Sequence, residues 1–225
     1  MHDLPPLPPS RRILVTGGTG YIGRALIPIL LERGHEVRAV VRASSIDKLP
    51  DGVVPIRGDA LQSNDLIPPL RGCDTVVHLV GVPKPSPAKA RQFREIDLAS
   101  IQATTQAIAA VGCGPHLVYL SVAQPAPMMK AYLAVRAEGE SMIRALKIPA
   151  TFLRPWYVLG PGHRWPLALT PFYALMRALP ATRESATRLG LVTLPQMIAA
   201  LVQSIEHPPV DVRIVDVPTI KATRM

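Results

Sequence analysis

Short apolar runs recur along the first two-thirds of the chain. They are Ile13-Leu14-Val15, Val37 to Val41, Val53 to Ile56, Val76 to Val80, Leu117 to Leu120 and Ala150 to Leu153. Between them apolar positions fall three and four apart, as in Ile22, Leu26, Ile29 and Leu30. Near-continuous apolar runs suit parallel strands covered on both faces, and the wider spacing suits helices that cover them. The pattern predicts strands over 12–16, 37–41, 53–59, 75–80, 117–121 and 150–155. It predicts helices over about 20–33, 65–70, 88–110 and 131–146. Gly34 and Gly72 close two of these helices, and Gly112-Cys113-Gly114-Pro115 breaks a third. Strands alternating with helices make an α/β fold with a doubly wound parallel sheet.

Past Pro161 the rhythm changes. Pro166, Pro171, Pro180 and Pro195 punctuate short helices, one of them over Leu194 to Ile205, and Arg213 to Val217 reads as a last strand. The expected organisation is a Pro-rich tail over 1–10, a main domain over 11–158 and a small C-terminal lobe over 159–225. The lobe would lie over the strand ends, where ligands bind in such sheets.

Composition narrows the picture. The chain has 225 residues and is 48% hydrophobic, enough for a real core. Its net charge of +9 favours anionic ligands. The basic residues are scattered, and aromatics make up only 4%, so no nucleic-acid surface is indicated. Cys73 and Cys113 are the only cysteines, without a CxxC pair, which points away from a disulfide framework or zinc site and towards a reducing, cytoplasmic setting. The six histidines are dispersed, so no metal is expected. The start of the chain lacks the apolar segment of a signal peptide, and no apolar stretch reaches the length of a membrane span.

The most informative segment is Val15-Thr16-Gly17-Gly18-Thr19-Gly20-Tyr21-Ile22-Gly23. It joins a predicted strand to a predicted helix, the setting a dinucleotide fingerprint requires. Gly17 permits the tight turn, Gly20 lets backbone approach a pyrophosphate, and Gly23 lets the helix pack on the strand. The helix start then offers free N–H groups to phosphates. An acidic residue commonly ends the second strand of NAD sites. Here Arg42 stands there, 22 residues after Gly20. A guanidinium at that place can pair with a 2′-phosphate, so the expected cofactor is NADP(H) in preference to NAD(H).

Together with Gly58-Asp59, His78-Leu79-Val80-Gly81, Ile96-Asp97-Leu98, the segment Tyr132 to Glu140 and Leu153 to Gly162, this turn resembles the short-chain dehydrogenase/reductase superfamily. The likeness is to its atypical and extended branch of epimerase/dehydratase-like, NAD(P)H-binding proteins. The resemblance implies a Rossmann fold. It implies that Thr19, Tyr21, Ile22, Asp59, Ala60, Leu79, Val80, Gly81 and Pro155 join Gly17, Gly20, Gly23 and Arg42 in lining the cofactor. His78 reads as a packing residue at a strand end.

The superfamily's chemistry pairs a Tyr with a Lys four positions on, facing the same side of one helix. Tyr132 occupies the first place and Arg136 the second. Arginine keeps the charge but changes the geometry. Ser121 is the candidate third hydroxyl, although the family's usual position falls at Ala123. Trp156, Tyr157, His163, Arg164 and Trp165 are substrate-pocket candidates, with packing of the lobe as their other reading. Two functions remain open. One is an NADP(H)-dependent oxidoreductase or epimerase/dehydratase acting on a small carbonyl or hydroxyl substrate. The other is a non-catalytic NAD(P)H-binding redox sensor or assembly module. Either could be a monomer or a homodimer.

Overall fold

The structure is a computed structural model that describes residues 9–112, 114–162, 176 and 180–224. Its main sheet has seven parallel strands: β1 (Arg12–Thr16), β2 (Glu36–Val41), β3 (Val54–Arg57), β4 (Thr75–His78), β5 (His116–Leu120), β6 (Ala150–Leu153) and β9 (Val212–Val215). Their spatial order is β3-β2-β1-β4-β5-β6-β9. The chain winds outward from β1 through β2 to β3, then returns to the other side of β1 at β4. That reversal opens a crevice at the carboxyl ends of β1 and β4, the place where doubly wound sheets bind ligands.

Helices cover both faces. On one face α1 (Tyr21–Glu32) and α7 (Leu194–Glu206) close a core with Ile13, Val15, Val77, Val118 and Leu153 beneath them. On the other, α2 (Ser63–Leu70), α4 (Ala99–Val111) and α5 (Lys130–Ala145) enclose Leu14, Val76, Leu117, Tyr119 and Phe152. Residues of the central strands therefore alternate between two buried cores, which is why these strands read as near-continuous apolar runs.

The helix expected over 88–110 is present but composite. A 3₁₀ turn at Pro87–Lys89 leads into the single turn α3 (Ala90–Gln92), a π-turn at Phe93–Leu98, and then α4. A π-turn widens the helix by one residue and often accompanies a functional site. Here it carries Asp97 inward, fully buried.

The C-terminal segment does more than cap the strand ends. β9 pairs with β6 and extends the main sheet, and α7 packs against α1. A Thr193–Gln196 capping box starts α7. A short parallel pair of β7 (Tyr157–Leu159) and β8 (Leu191–Thr193), with α6 (Pro180–Arg188) and α8 (Val217–Ala222), lies outside the main sheet.

Candidate functional site

The glycine turn sits at the mouth of the β1/β4 crevice. Gly17 has φ of +80°, and a Cβ there would lie 2.8 Å from the Leu79 carbonyl carbon. Its carbonyl receives the Gly20 N–H at 3.0 Å. A Cβ on Gly23 would lie 2.6 Å from the Gly17 oxygen and 2.7 Å from Gly18 Cα. Glycine is thus required on both sides of the turn by backbone contacts. Gly20 caps α1 with no side-chain hydrogen bond, and the first turn of the helix has no acidic residue. The first N–H groups of α1 are left for an anion, as a dinucleotide phosphate requires.

The other cofactor candidates lie at the start of α1 or follow the carboxyl ends of β2, β3, β4 and β6. The Leu79 N–H donates to the Thr16 carbonyl at 3.0 Å, which aligns Leu79, Val80 and Gly81 beside Gly17. Tyr21 is half-buried with its hydroxyl against Gly160, and burial raises its pKa. Arg42 follows the end of β2, exposed, and its guanidinium makes no hydrogen bond or ion pair among the described residues. The Gly58 N–H donates to the Val41 carbonyl, placing Asp59 and Ala60 alongside the β2 end. Asp59 itself is held in its turn, accepting from the Leu61 N–H at 3.0 Å. Pro155 continues β6, and its carbonyl accepts from the Ala123 N–H.

The Tyr–Arg pair is arranged differently from a Tyr–Lys relay. Arg136 is buried, and its Nη2 meets Asp97 Oδ1 at 2.6 Å. Its Nη1 donates to the Leu120 carbonyl at 2.9 Å, and Nη2 approaches the Val80 carbonyl at 3.5 Å. The second Asp97 oxygen accepts from the Val82 N–H at 3.0 Å. Burial works against the charge on Arg136, but Tyr132, Tyr119 and Asp97 around it outweigh this and hold its pKa above the usual arginine value. Burial pushes Asp97 up, opposed by the guanidinium and the Val82 N–H. Tyr132 is half-buried, with its ring 4.9 Å from Phe93 and 5.2 Å from the Arg136 guanidinium.

Ser121 is drawn into a second network. Its hydroxyl donates to Glu140 Oε1 at 2.6 Å. Glu140 also accepts from Gln124 at 3.2 Å and from both nitrogens of the Arg154 fork, the Nε at 2.9 Å. No hydrogen bond joins Ser121, Tyr132 and Arg136 to one another among the described residues. Glu140 and Gln124 carried no role in the sequence reading. The signal available was Glu140 one helical turn after Arg136, an acid on a face that must be buried. His78 is fully buried between Thr16, Ser100 and Thr104, and burial, with the Arg136 charge, pushes it down to about 3. It is a neutral packing residue at working pH.

A cavity of about 610 Å³ opens at the carboxyl ends of β5, β6 and β9, against Ala123, Gln124, Arg154, Arg188, Asp216 and Val217. Trp156 is half-buried against the α1/α7 core, and Tyr157 begins β7. His163, Arg164 and Trp165 lie outside the described residues. Among the described residues no metal-ligating cluster occurs, and no helix is long and apolar enough to cross a membrane.

A doubly wound sheet with an uncapped glycine turn at its crevice defines a dinucleotide-binding protein. The chain matches the NAD(P)H-binding family over residues 17–164 and belongs to that family. It is 26% identical over 198 residues to ceramide reductase of Caulobacter vibrioides, covering 87% of this chain and 61% of that protein. It is 31% identical over 180 residues to 2-alkyl-3-oxoalkanoate reductase of Stenotrophomonas maltophilia, covering 67% and 52%. The chain thus spans less than two-thirds of the length of these relatives. Among solved structures, MoeE5 in complex with UDP-glucuronic acid and NAD superposes with a TM-score of 0.68 at 23% identity, covering 91% of this chain and 75% of that one. The fold is shared with that structure.

Proposed function

We propose that the chain is an NADP(H)-dependent oxidoreductase or epimerase/dehydratase of a small carbonyl or hydroxyl substrate. The observation that carries the cofactor choice is Arg42, exposed and unpartnered among the described residues at the β2 end, with no acid in its place. Its guanidinium is free to take a 2′-phosphate, while Gly17, Thr19, Gly20, Tyr21, Ile22 and Gly23 receive the pyrophosphate at the start of α1. Asp59 and Ala60 flank the adenine side, and Leu79, Val80, Gly81 and Pro155 the nicotinamide side. Bound NADP(H) would supply or accept a hydride.

Tyr132 would hold the proton exchanged at the substrate oxygen, with the Arg136 guanidinium 5.2 Å from its ring. Trp156 and Tyr157 would shape the substrate end. The name of one relative supports a carbonyl substrate, since it is a 2-alkyl-3-oxoalkanoate reductase.

The second reading, an NAD(P)H-binding sensor without turnover, is favoured by the commitment of Arg136 to Asp97 and of Ser121 to Glu140. Calorimetric titration with NADPH and NADH tests the cofactor assignment. Tighter binding of NADPH is expected, with Arg42→Ala weakening NADPH roughly tenfold or more and leaving NADH unchanged. An unchanged NADPH affinity in that variant refutes it. Turnover on a carbonyl panel separates the two readings. Loss of turnover with retained NADPH binding in Tyr132→Phe supports the enzyme, and no turnover by the unaltered protein supports the sensor.

A further inference from the structure

The amino-terminal rim of the sheet, opposite the cofactor crevice, carries a polar layer that the proposed function does not use. Side chains alternate along a strand. Ile13, Val15, Val77, Val118, Leu153 and Val215 all face the α1/α7 core. Arg11, Thr75, His116, Thr151 and Arg213 each lie two residues before one of these, so they face the same side. They stand on the adjacent strands β1, β4, β5, β6 and β9, with Arg11 still in the ladder through its carbonyl. Thr75 is the register partner of His116, and Thr151 that of Arg213.

This layer is short of acceptors. The Arg11 Nε, Arg213 Nε, His116 Nδ1 and Thr75 Oγ1 are all buried without a hydrogen-bond partner. His116 is 4% exposed and Thr75 0%. The imidazole Nε2 lies 2.9 Å from the Thr151 hydroxyl, so donation from that hydroxyl leaves Nδ1 as an N–H donor. Each guanidinium spends its Nη2 on a carbonyl at the end of α7: Arg11 on Glu206 at 3.2 Å and Arg213 on His207 at 2.8 Å. The carboxylate of Glu206, at the end of α7, is taken by Arg33 at 2.5 Å and by His35 at 3.3 Å.

Buried donors are almost always satisfied, and a group of them without protein partners calls for a water or an ion. A water has two lone pairs and two hydrogens of its own to place. Three N–H donors and a hydroxyl offer its hydrogens a single acceptor. An anion accepts from all of them and opposes the charge of the two guanidinium groups. We infer that Arg11, Arg213, His116 and Thr75 form a binding site for a small inorganic anion of the halide class between the sheet and the end of α7. Its occupancy would tie β9 and α7 to the central strands. Electrostatics agree with this placement. Burial lowers the Arg213 pKa with no acid opposing it, and burial followed by the Arg213 and Arg11 charges lowers His116 to about 3.

Thermal unfolding of the full chain in sodium chloride against sodium gluconate at constant ionic strength tests the site. A ligand of the native state raises Tm with concentration, so a rise of roughly 2–6 °C is expected between about 5 mM and about 500 mM chloride, and it should be lost in Arg213→Met. The same Tm in both salts, or the same chloride dependence in Arg213→Met, overturns the inference. Should that variant fail to fold, bromide settles the matter on the unaltered protein. A bromide anomalous peak among the four side chains in crystals supports the site, and a water there at saturating bromide overturns it.

Discussion

At the scale of single residues, the substitution of arginine for lysine after Tyr132 is explained by its partner. A lysine is a point charge on a flexible stem, whereas the guanidinium presents a planar fork. Arg136 uses that fork to join Asp97 on the π-turn and the Leu120 carbonyl on β5. Removing one member of a buried pair strands the other charge. Arg136→Met should therefore cost about 3–5 kcal/mol of stability, and Arg136→Met combined with Asp97→Leu should recover most of it. Urea unfolding of the unaltered protein and the two variants checks this. The buried histidines give a prediction of a different kind. His78 and His116 each have folded pKa values near 3, far below the ordinary value of 6.5. The unfolded chain therefore binds more protons between those limits. Stability is fully present above about pH 6.5 and falls as pH drops towards 3, by about 1.4 kcal/mol per pH unit for each site. Urea midpoints measured from pH 7 to pH 4 should decline, and His78→Gln should remove one site's share of the slope. An unaltered slope in that variant would show that His78 titrates normally in the fold.

At the scale of elements, the glycines separate two kinds of constraint. Gly23 meets rigid backbone, the Gly17 oxygen and Gly18 Cα, so Gly23→Ala must push α1 away from the turn. Gly34 has φ of +81° but open space where a Cβ would stand. Gly34→Ala should cost only about 1 kcal/mol of left-handed strain. NADPH affinity should collapse in the first variant and persist in the second, which calorimetry reads directly. The same contrast explains what the sequence made legible. The glycine turn, the apolar strands and the Gly34 cap are local patterns, and each element was recognisable within a few residues. The π-turn at Phe93–Leu98 was not, because one added residue in a helical turn leaves the apolar spacing almost unchanged. Nor were the ion pairs. Asp97 and Arg136 are 39 residues apart, and only the packing of α5 on the π-turn brings them together. The amphipathic helix Leu194–Glu206 was visible, but its spacing says only that one face is buried. That it covers α1, and that Val212–Val215 completes the main sheet, depends on long-range pairing absent from the local pattern.

For the whole molecule, the net charge of +9 acts at both rims of the sheet. Arg42 and the start of α1 stand at the carboxyl end, and Arg11 and Arg213 at the opposite end. A field of this sign raises the local concentration of a polyanionic cofactor, and salt screens it, with a Debye length of about 10 Å at 0.1 M and about 3 Å at 1 M. A direct guanidinium–phosphate contact adds a local term on top of this field. NADPH carries a 2′-phosphate that NADH lacks, so its affinity should fall more steeply with salt. Between about 0.05 M and about 0.5 M sodium gluconate, the ratio of NADPH to NADH affinity should shrink several-fold. In Arg42→Ala the two salt dependences should become nearly alike, because only the general field remains. Equal slopes for both cofactors in the unaltered protein would mean that no positive group meets the 2′-phosphate, whatever the net charge of the chain. The choice between NADPH and NADH would then have to come from the shape of the proposed adenine side around Asp59 and Ala60.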